Sequence, residues 1–122
     1  MTILKICPGC KPEVVTISHN LKSMQEIVGG CIEAIYPYED AVALVCNDEG
    51  KLMGLPLNRA VRDPATGKVL DIISGTFFIC GLSEDDFASL TKEQSEYYSN
   101  LFRYPEVFLQ MDSQLVILQI EE

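Results

Sequence analysis

A run of backbone-restricting residues wedged between apolar segments constrains this chain more than any other feature. Asn47-Asp-Glu-Gly-Lys-Leu-Met-Gly-Leu-Pro-Leu-Asn-Arg-Ala60 is followed by Ile73-Ser-Gly-Thr-Phe-Phe-Ile-Cys-Gly81. Glycine reaches backbone conformations that other residues resist, and proline fixes φ, so the chain must turn sharply several times here. The flanking Ala41-Val-Ala-Leu-Val-Cys46 is a continuous apolar run of strand length, which predicts a buried strand. The block also carries Asn58, Arg59 and Arg62, polar groups able to do chemistry if they share a surface.

The rest of the chain reads as alternating short elements. Thr2–Ile6 and Glu13–Ile17 are strands joined by the Cys7-Pro-Gly-Cys10 turn. Asn20 or Ser23 caps a helix over Leu21–Val28, stopped by Gly29-Gly30. Cys31–Tyr36, Val69–Ile73 and Thr76–Cys80 follow as strands. Pro56 suits a helix start, so Leu57–Arg62 is expected to form one or two helical turns. Leu82-Ser-Glu-Asp-Asp-Phe87 carries a capping serine, first-turn acids and a hydrophobic staple, a helix-start pattern. Thr91-Lys-Glu-Gln94 is a capping box that opens a helix to about Arg103, before Pro105. Phe108–Met111 fits a short helix or strand, and Leu115–Ile120 is a final strand. The sum is one α+β domain spanning 1–122, a small, mostly antiparallel sheet covered by helices, with a helical insertion before the last strand.

At Gly54-Leu-Pro with Asn58-Arg-Ala60 the chain resembles an uncharacterised family, domain of unknown function 3846. Glu26-Ile-Val-Gly-Gly30, Ile32-Glu-Ala-Ile-Tyr-Pro37, Asn47 with Glu49-Gly-Lys51, Asp71-Ile-Ile-Ser-Gly-Thr76 and Phe77-Phe-Ile-Cys-Gly81 also fit. The resemblance covers residues 26–81, and the C-terminal part looks like a variant found in gut members. It carries no catalytic residues to transfer. It implies a cytoplasmic accessory protein of phages, conjugative elements and gut Firmicutes, with an interaction or counter-defence role.

Charge narrows the partners. The chain carries a net −9, and residues 83–122 hold nine acids against two bases. Nucleic acid needs cations to displace its counterions, so direct binding to it is not expected. An acidic surface suits a basic protein partner or, more simply, solubility. No apolar run approaches the roughly 20 residues needed to span a bilayer. The start, Met1-Thr-Ile-Leu-Lys-Ile6, has no signal-peptide pattern, so a soluble cytoplasmic protein is expected.

Four sets of residues are candidate chemistry. Arg59 and Arg62 on one side of a helical turn, with Asn58 and Thr76, would clamp a small phosphate-containing ligand such as a nucleotide signal. The competing structural reading pairs Arg59 with Asp48, Glu49 or Asp71. Cys7 and Cys10 form a CxxC without the following helix that would activate a thiol, and the chain has no second ligand pair for zinc. Neither a metal nor a cofactor is expected. The single histidine, His19, reads as exposed, and the adjacent carboxylates Glu39-Asp40 and Asp85-Asp86 diverge too much for acid–base work. Leu90, Tyr97, Leu101 and Tyr104 fall at helical spacing, which fits core packing. Alternatively Tyr98, with Glu93 and Glu96, offers an aromatic and acidic surface to a basic partner or a second copy. The expected function is a non-enzymatic mobile-element protein that binds a protein partner, with phosphate-ligand binding as the alternative.

Overall fold

The computed structural model describes residues 1–121. Along the chain run β1 (Thr2–Ile6), β2 (Glu13–Thr16), α1 (Leu21–Val28), β3 (Ile32–Ile35), β4 (Val42–Asn47), β5 (Leu57–Arg62) and β6 (Val69–Ser74). Then come β7 (Phe77–Leu82), β8 (Phe87–Ala88), α2 (Lys92–Leu101), β9 (Glu106–Met111) and β10 (Gln114–Gln119). The central sheet has the order β2-β1-β7-β4-β3, with β8 paired to the end of β7. Every pairing is antiparallel, and two separate hairpins, β5–β6 and β9–β10, stand off this sheet. The fold class is α+β, as the pattern of elements predicts.

The central strands are buried on both faces, which is why they read as unbroken apolar runs rather than alternating ones. All six residues of β4 are buried. On one face Ile3, Ala43, Val45, Phe78 and Cys80 pack against Met24 and Val28 of α1. On the other, Leu4, Ile6, Leu44, Phe77 and Ile79 pack against Val61 and Ile73 of the β5–β6 hairpin and against Tyr98 and Phe102 of the α2 region. Helix α1 begins and ends where its caps dictate. The Asn20 side chain accepts from the Ser23 N–H at 2.8 Å, and Gly29 takes the left-handed conformation at φ 78° while its N–H bonds the Gln25 carbonyl. Helix α2 carries the full Thr91–Gln94 capping box.

Two local expectations change, and one open alternative is decided. Leu57–Arg62 is a strand, not a helical turn, and its first half is bulged. Residues 83–86 form a turn between β7 and β8, with the Ser83 N–H and Oγ–H both donating to the Asp86 carbonyl. A helix there would have only a few residues before the next cap at Thr91, too few to offset nucleation, and Phe87 and Ala88 instead pair with Leu82 and Gly81. Of the two alternatives for Phe108–Met111 the strand is the one formed, as part of β9, and it pairs with β10 in a hairpin.

Among the described residues no helix is long and apolar enough to cross a membrane. All five cysteines are free, with Cys10 and Cys31 exposed and Cys46 and Cys80 buried. Burial pushes the Cys46 thiol up to about 11, helped by Glu33, Asp71 and Asp48. Burial likewise pushes Cys80 up to about 12. A thiol-specific reagent at about pH 8 is therefore expected to label Cys10 and Cys31 in the native protein and to reach Cys46 and Cys80 only with denaturant. Unfolded thiols ionise first, so the stability these two groups contribute is complete below pH 9 and is lost as pH climbs towards 12. Native labelling of Cys80 at the rate of Cys10 would contradict this packing.

Candidate functional site

The strand β5 is bulged between Leu57 and Arg59, so Asn58 is the extra residue. A regular strand would turn one of Asn58 and Arg59 outward. The bulge turns both inward, and they are 0% and 1% exposed. The Asn58 amide donates to the Ile6 and Gly75 carbonyls, both at 2.8 Å. Its Oδ1 accepts from Arg59 Nη1 at 2.9 Å. Gly75 can meet this amide because it adopts φ +83°, and a Cβ there would lie 2.7 Å from Leu55 Cδ1.

Arg59 then reaches across the molecule. Its Nε and Nη2 donate to the Phe102 carbonyl at 3.2 Å each, and Nη2 also donates to the Cys10 carbonyl. Burial lowers its pKa, while nearby Glu106 opposes that shift. These acceptors are backbone carbonyls rather than Asp48, Glu49 or Asp71. Asp71 pairs with Lys51 at 3.0 Å instead.

The four residues read as a phosphate clamp are thus not assembled into one. Arg62 lies at the other end of the strand and pairs with the buried carboxylate of Glu106 at 2.9 Å. Thr76 sits half-buried between β6 and β7. Asn58 and Arg59 face the interior, with their donors occupied. Tyr98 is 1% exposed and belongs to the core, so it offers no surface to a partner. Glu93 and Glu96 are exposed, as a contact surface needs, and the exposed aromatic of α2 is Tyr97, at 56%. Cys7 and Cys10 sit in the β1–β2 turn, closed by the Cys10 N–H on the Cys7 carbonyl. His19 lies 3.2 Å from Asp86 at the surface. Among the described residues no three His, Cys, Asp or Glu side chains are grouped to hold a metal ion.

What the sequence reading missed is a cleft of about 480 Å³ beside α2. It lies between the β3–β4 loop, the β5–β6 loop and the helix. Its walls carry Glu39, Asp40 and Asp63 with Tyr38, Tyr97 and Tyr98, and no basic residue lines it. Asp40 is locked in place. Its carboxylate accepts from the Tyr98 hydroxyl at 3.1 Å, from Gln94 Nε2 at 3.2 Å and from the Ala41 N–H at 2.7 Å. Burial raises the Tyr98 pKa, and the bond to Asp40 raises it further, so this hydroxyl remains a donor. Tyr98 stacks obliquely on Tyr38 at 5.2 Å and meets Tyr97 edge-on at 4.8 Å. Glu39 has no hydrogen-bond or ion-pair partner among the described residues. The signal was present as Tyr36-Pro-Tyr-Glu-Asp40, a loop dense in aromatics and acids. Only the fold brings Asp63 and Tyr97 to it.

The turn residues of the first-noted block do meet. Asn47, Gly50, Lys51, Asp71 and Ser74 line a small hollow of about 130 Å³. There the Asn47 amide donates to the Val28 carbonyl at 3.1 Å, and its Oδ1 accepts from the Glu49 N–H at 2.8 Å. The block is mainly a device for joining α1, β4 and β6.

The model for the family Domain of unknown function (DUF3846) matches residues 1–103. The chain belongs to that family. The match takes in β1 through α2, including both walls of the cleft, and ends before the β9–β10 hairpin. No curated protein and no solved structure matches the chain.

Arg59→Met is expected to lower stability by about 3 kcal/mol, because the Phe102 and Cys10 carbonyls lose their donors in a dry site. Arg59→Lys should recover little of this, since one ammonium cannot span three acceptors in the planar fork of a guanidinium. Urea unfolding measures both. A variant as stable as the parent would remove Arg59 from its structural role.

Proposed function

We propose that this chain is a non-enzymatic accessory protein of a mobile element, acting in the cytoplasm, that binds a protein partner through a basic side chain seated in the acidic cleft. The observation that carries the reading is the cleft lining: three carboxylates beside the rings of Tyr38 and Tyr97, with buried Tyr98 behind them and no cation. Carboxylates attract a guanidinium or ammonium, and the face of a tyrosine ring adds cation–π attraction. Arginine fits best, because its flat group can lie on Tyr97 while its N–H groups reach Glu39 and Asp63. The cleft is pre-formed, since Tyr98, Gln94 and the Ala41 N–H already hold Asp40. Little ordering remains to oppose binding.

The surroundings support the same partner. Glu93 lies one helical turn before Tyr97, and Glu96 is exposed beside it. The excess of acids in the last third would steer a basic protein towards this side. The mobile-element setting and the cytoplasm rest on the family resemblance.

An arginine-rich peptide titrated by fluorescence anisotropy is expected to bind, while an acidic peptide of equal length is not. Tyr97→Ala and Glu39→Lys should each weaken binding about tenfold, and added salt should weaken it further. Equal binding of basic and acidic peptides, or a Tyr97→Ala variant that binds as the parent does, would sink the reading.

A further inference from the structure

The β9–β10 hairpin has an outer face that is almost wholly apolar and uncovered. Residues directly opposite in an antiparallel pair share a face. The register pairs Val107 with Leu118, Leu109 with half-buried Val116, and Met111 with Gln114, the one polar side chain of that side. Pro105 and Ile120 extend that side through the bond from the Ile120 N–H to the Pro105 carbonyl. Val107, Leu109, Met111, Leu118 and Ile120 are 39–57% exposed. The other face packs inward at buried Glu106 and half-buried Phe108 and Ile117, and is exposed at Gln110, Leu115 and Gln119. The six strand pairs run without a bulge, and neither strand carries lysine or proline. The usual defences of an open ribbon are absent.

The charges around this face bear on what covers it. The molecule is strongly acidic, yet the exposed ribbon side chains bear no charge. Two copies of an acidic chain repel everywhere except at such a place. A basic protein would find no carboxylate on it to pair with. The two ends of the hairpin are complementary to each other. Exposed Asp112 forms the tip, and at the base a cleft of about 440 Å³ is lined by Lys11, Glu106, Val107, Ile120 and Arg103, whose guanidinium lies over the Tyr104 ring; Glu106 is already paired with Arg62. When two hairpins pack face to face and antiparallel, each tip lies over the base of the other. We propose that the outer face of β9–β10 is an isologous dimer interface, with Asp112 of each copy facing Arg103 of the second. An interface of five exposed apolar side chains is small beside the roughly 800 Å² per partner of a tight complex. The dimer is therefore weak and concentration-dependent. It does not involve the acidic cleft.

Sedimentation velocity on the full chain, from about 1 µM to about 1 mM, tests this. The expected result is a monomer that passes to a dimer within that range. Leu118→Glu should abolish the dimer, and Arg103→Glu, which sets like charges together, should weaken it about tenfold. Asp112→Asn placed in the Arg103→Glu background should then restore part of the loss, because the repulsion is gone. Arg103 and Asp112 are exposed, so these variants keep the fold, and circular dichroism melts check it. A monomer at every concentration overturns the proposal. So does a Leu118→Glu variant that folds and dimerises like the parent, and so does a chain that stays monomeric while co-sedimenting with neutral lipid vesicles. None of these results bears on basic-peptide binding at the cleft.

Discussion

Arg59 ties together three segments that are far apart in the chain. Its guanidinium joins the bulged start of β5, the Cys7–Cys10 turn and the Phe102 carbonyl at the end of α2. A buried guanidinium is costly unless its donors are satisfied. Here they are met largely by backbone carbonyls, which also need partners once they leave water. The two requirements solve each other, and the solution exists only if all three segments are in place. The carbonyl at the helix end is the negative pole of α2, so the cation also matches the helix dipole. Correct placement of α2 against the sheet follows from this one side chain, together with Tyr98 and Phe102 in the core.

That explains which parts of the architecture were legible in the sequence. The apolar run before Asn47, the Asn20 cap with Gly29, and the Thr91–Gln94 box each carry a local cause, and each element forms where its cause lies. The misreading of Leu57–Arg62 came from the same logic. Pro56 starts helices, but it also precedes strands, and the arbiter is not local. Asn58 needs the carbonyls of Ile6 and Gly75, and Arg59 needs those of Cys10 and Phe102. These contacts span up to 52 residues of chain. No window around Pro56 contains them. In the same way, the carboxylate that pairs with Arg62 proved to be Glu106, 44 residues away, rather than any acid of the block itself.

The cleft was invisible for a related reason. Its carboxylates come from two loops and its exposed ring from a helix, and no spacing rule links Asp40, Asp63 and Tyr97. As sequence neighbours Glu39 and Asp40 diverge, which makes them a poor acid–base pair. The divergence is real, and it is what makes the site. Asp40 turns to Tyr98 and α2, while Glu39 is left for the opening. One carboxylate fixes the helix and the other stays available. Tyr98, for which the sequence offers a core or a partner-facing reading, takes the core one and holds the cleft in shape from behind. Tyr97, packed edge-on against it, occupies the exposed role.

The hairpin beyond the family match is joined to the matched part by more than a linker. Glu106 is 7% exposed, accepts from the Ala60 N–H at 2.8 Å and pairs with Arg62. Ala60 follows Arg59 directly, so the added strand is anchored on the residue beside the one that holds the helix in place. A buried carboxylate is tolerated only with such partners, and Arg62 and the Ala60 N–H in turn gain an acceptor that solvent would otherwise supply. Residues 104–121 are in this sense part of the packed structure on their inner side. On their outer side they are an apolar ribbon with no charge of its own. An extension anchored this firmly while leaving such a face open makes physical sense as a platform for association. Solvent alone would favour the alternation of polar and apolar residues that this ribbon lacks.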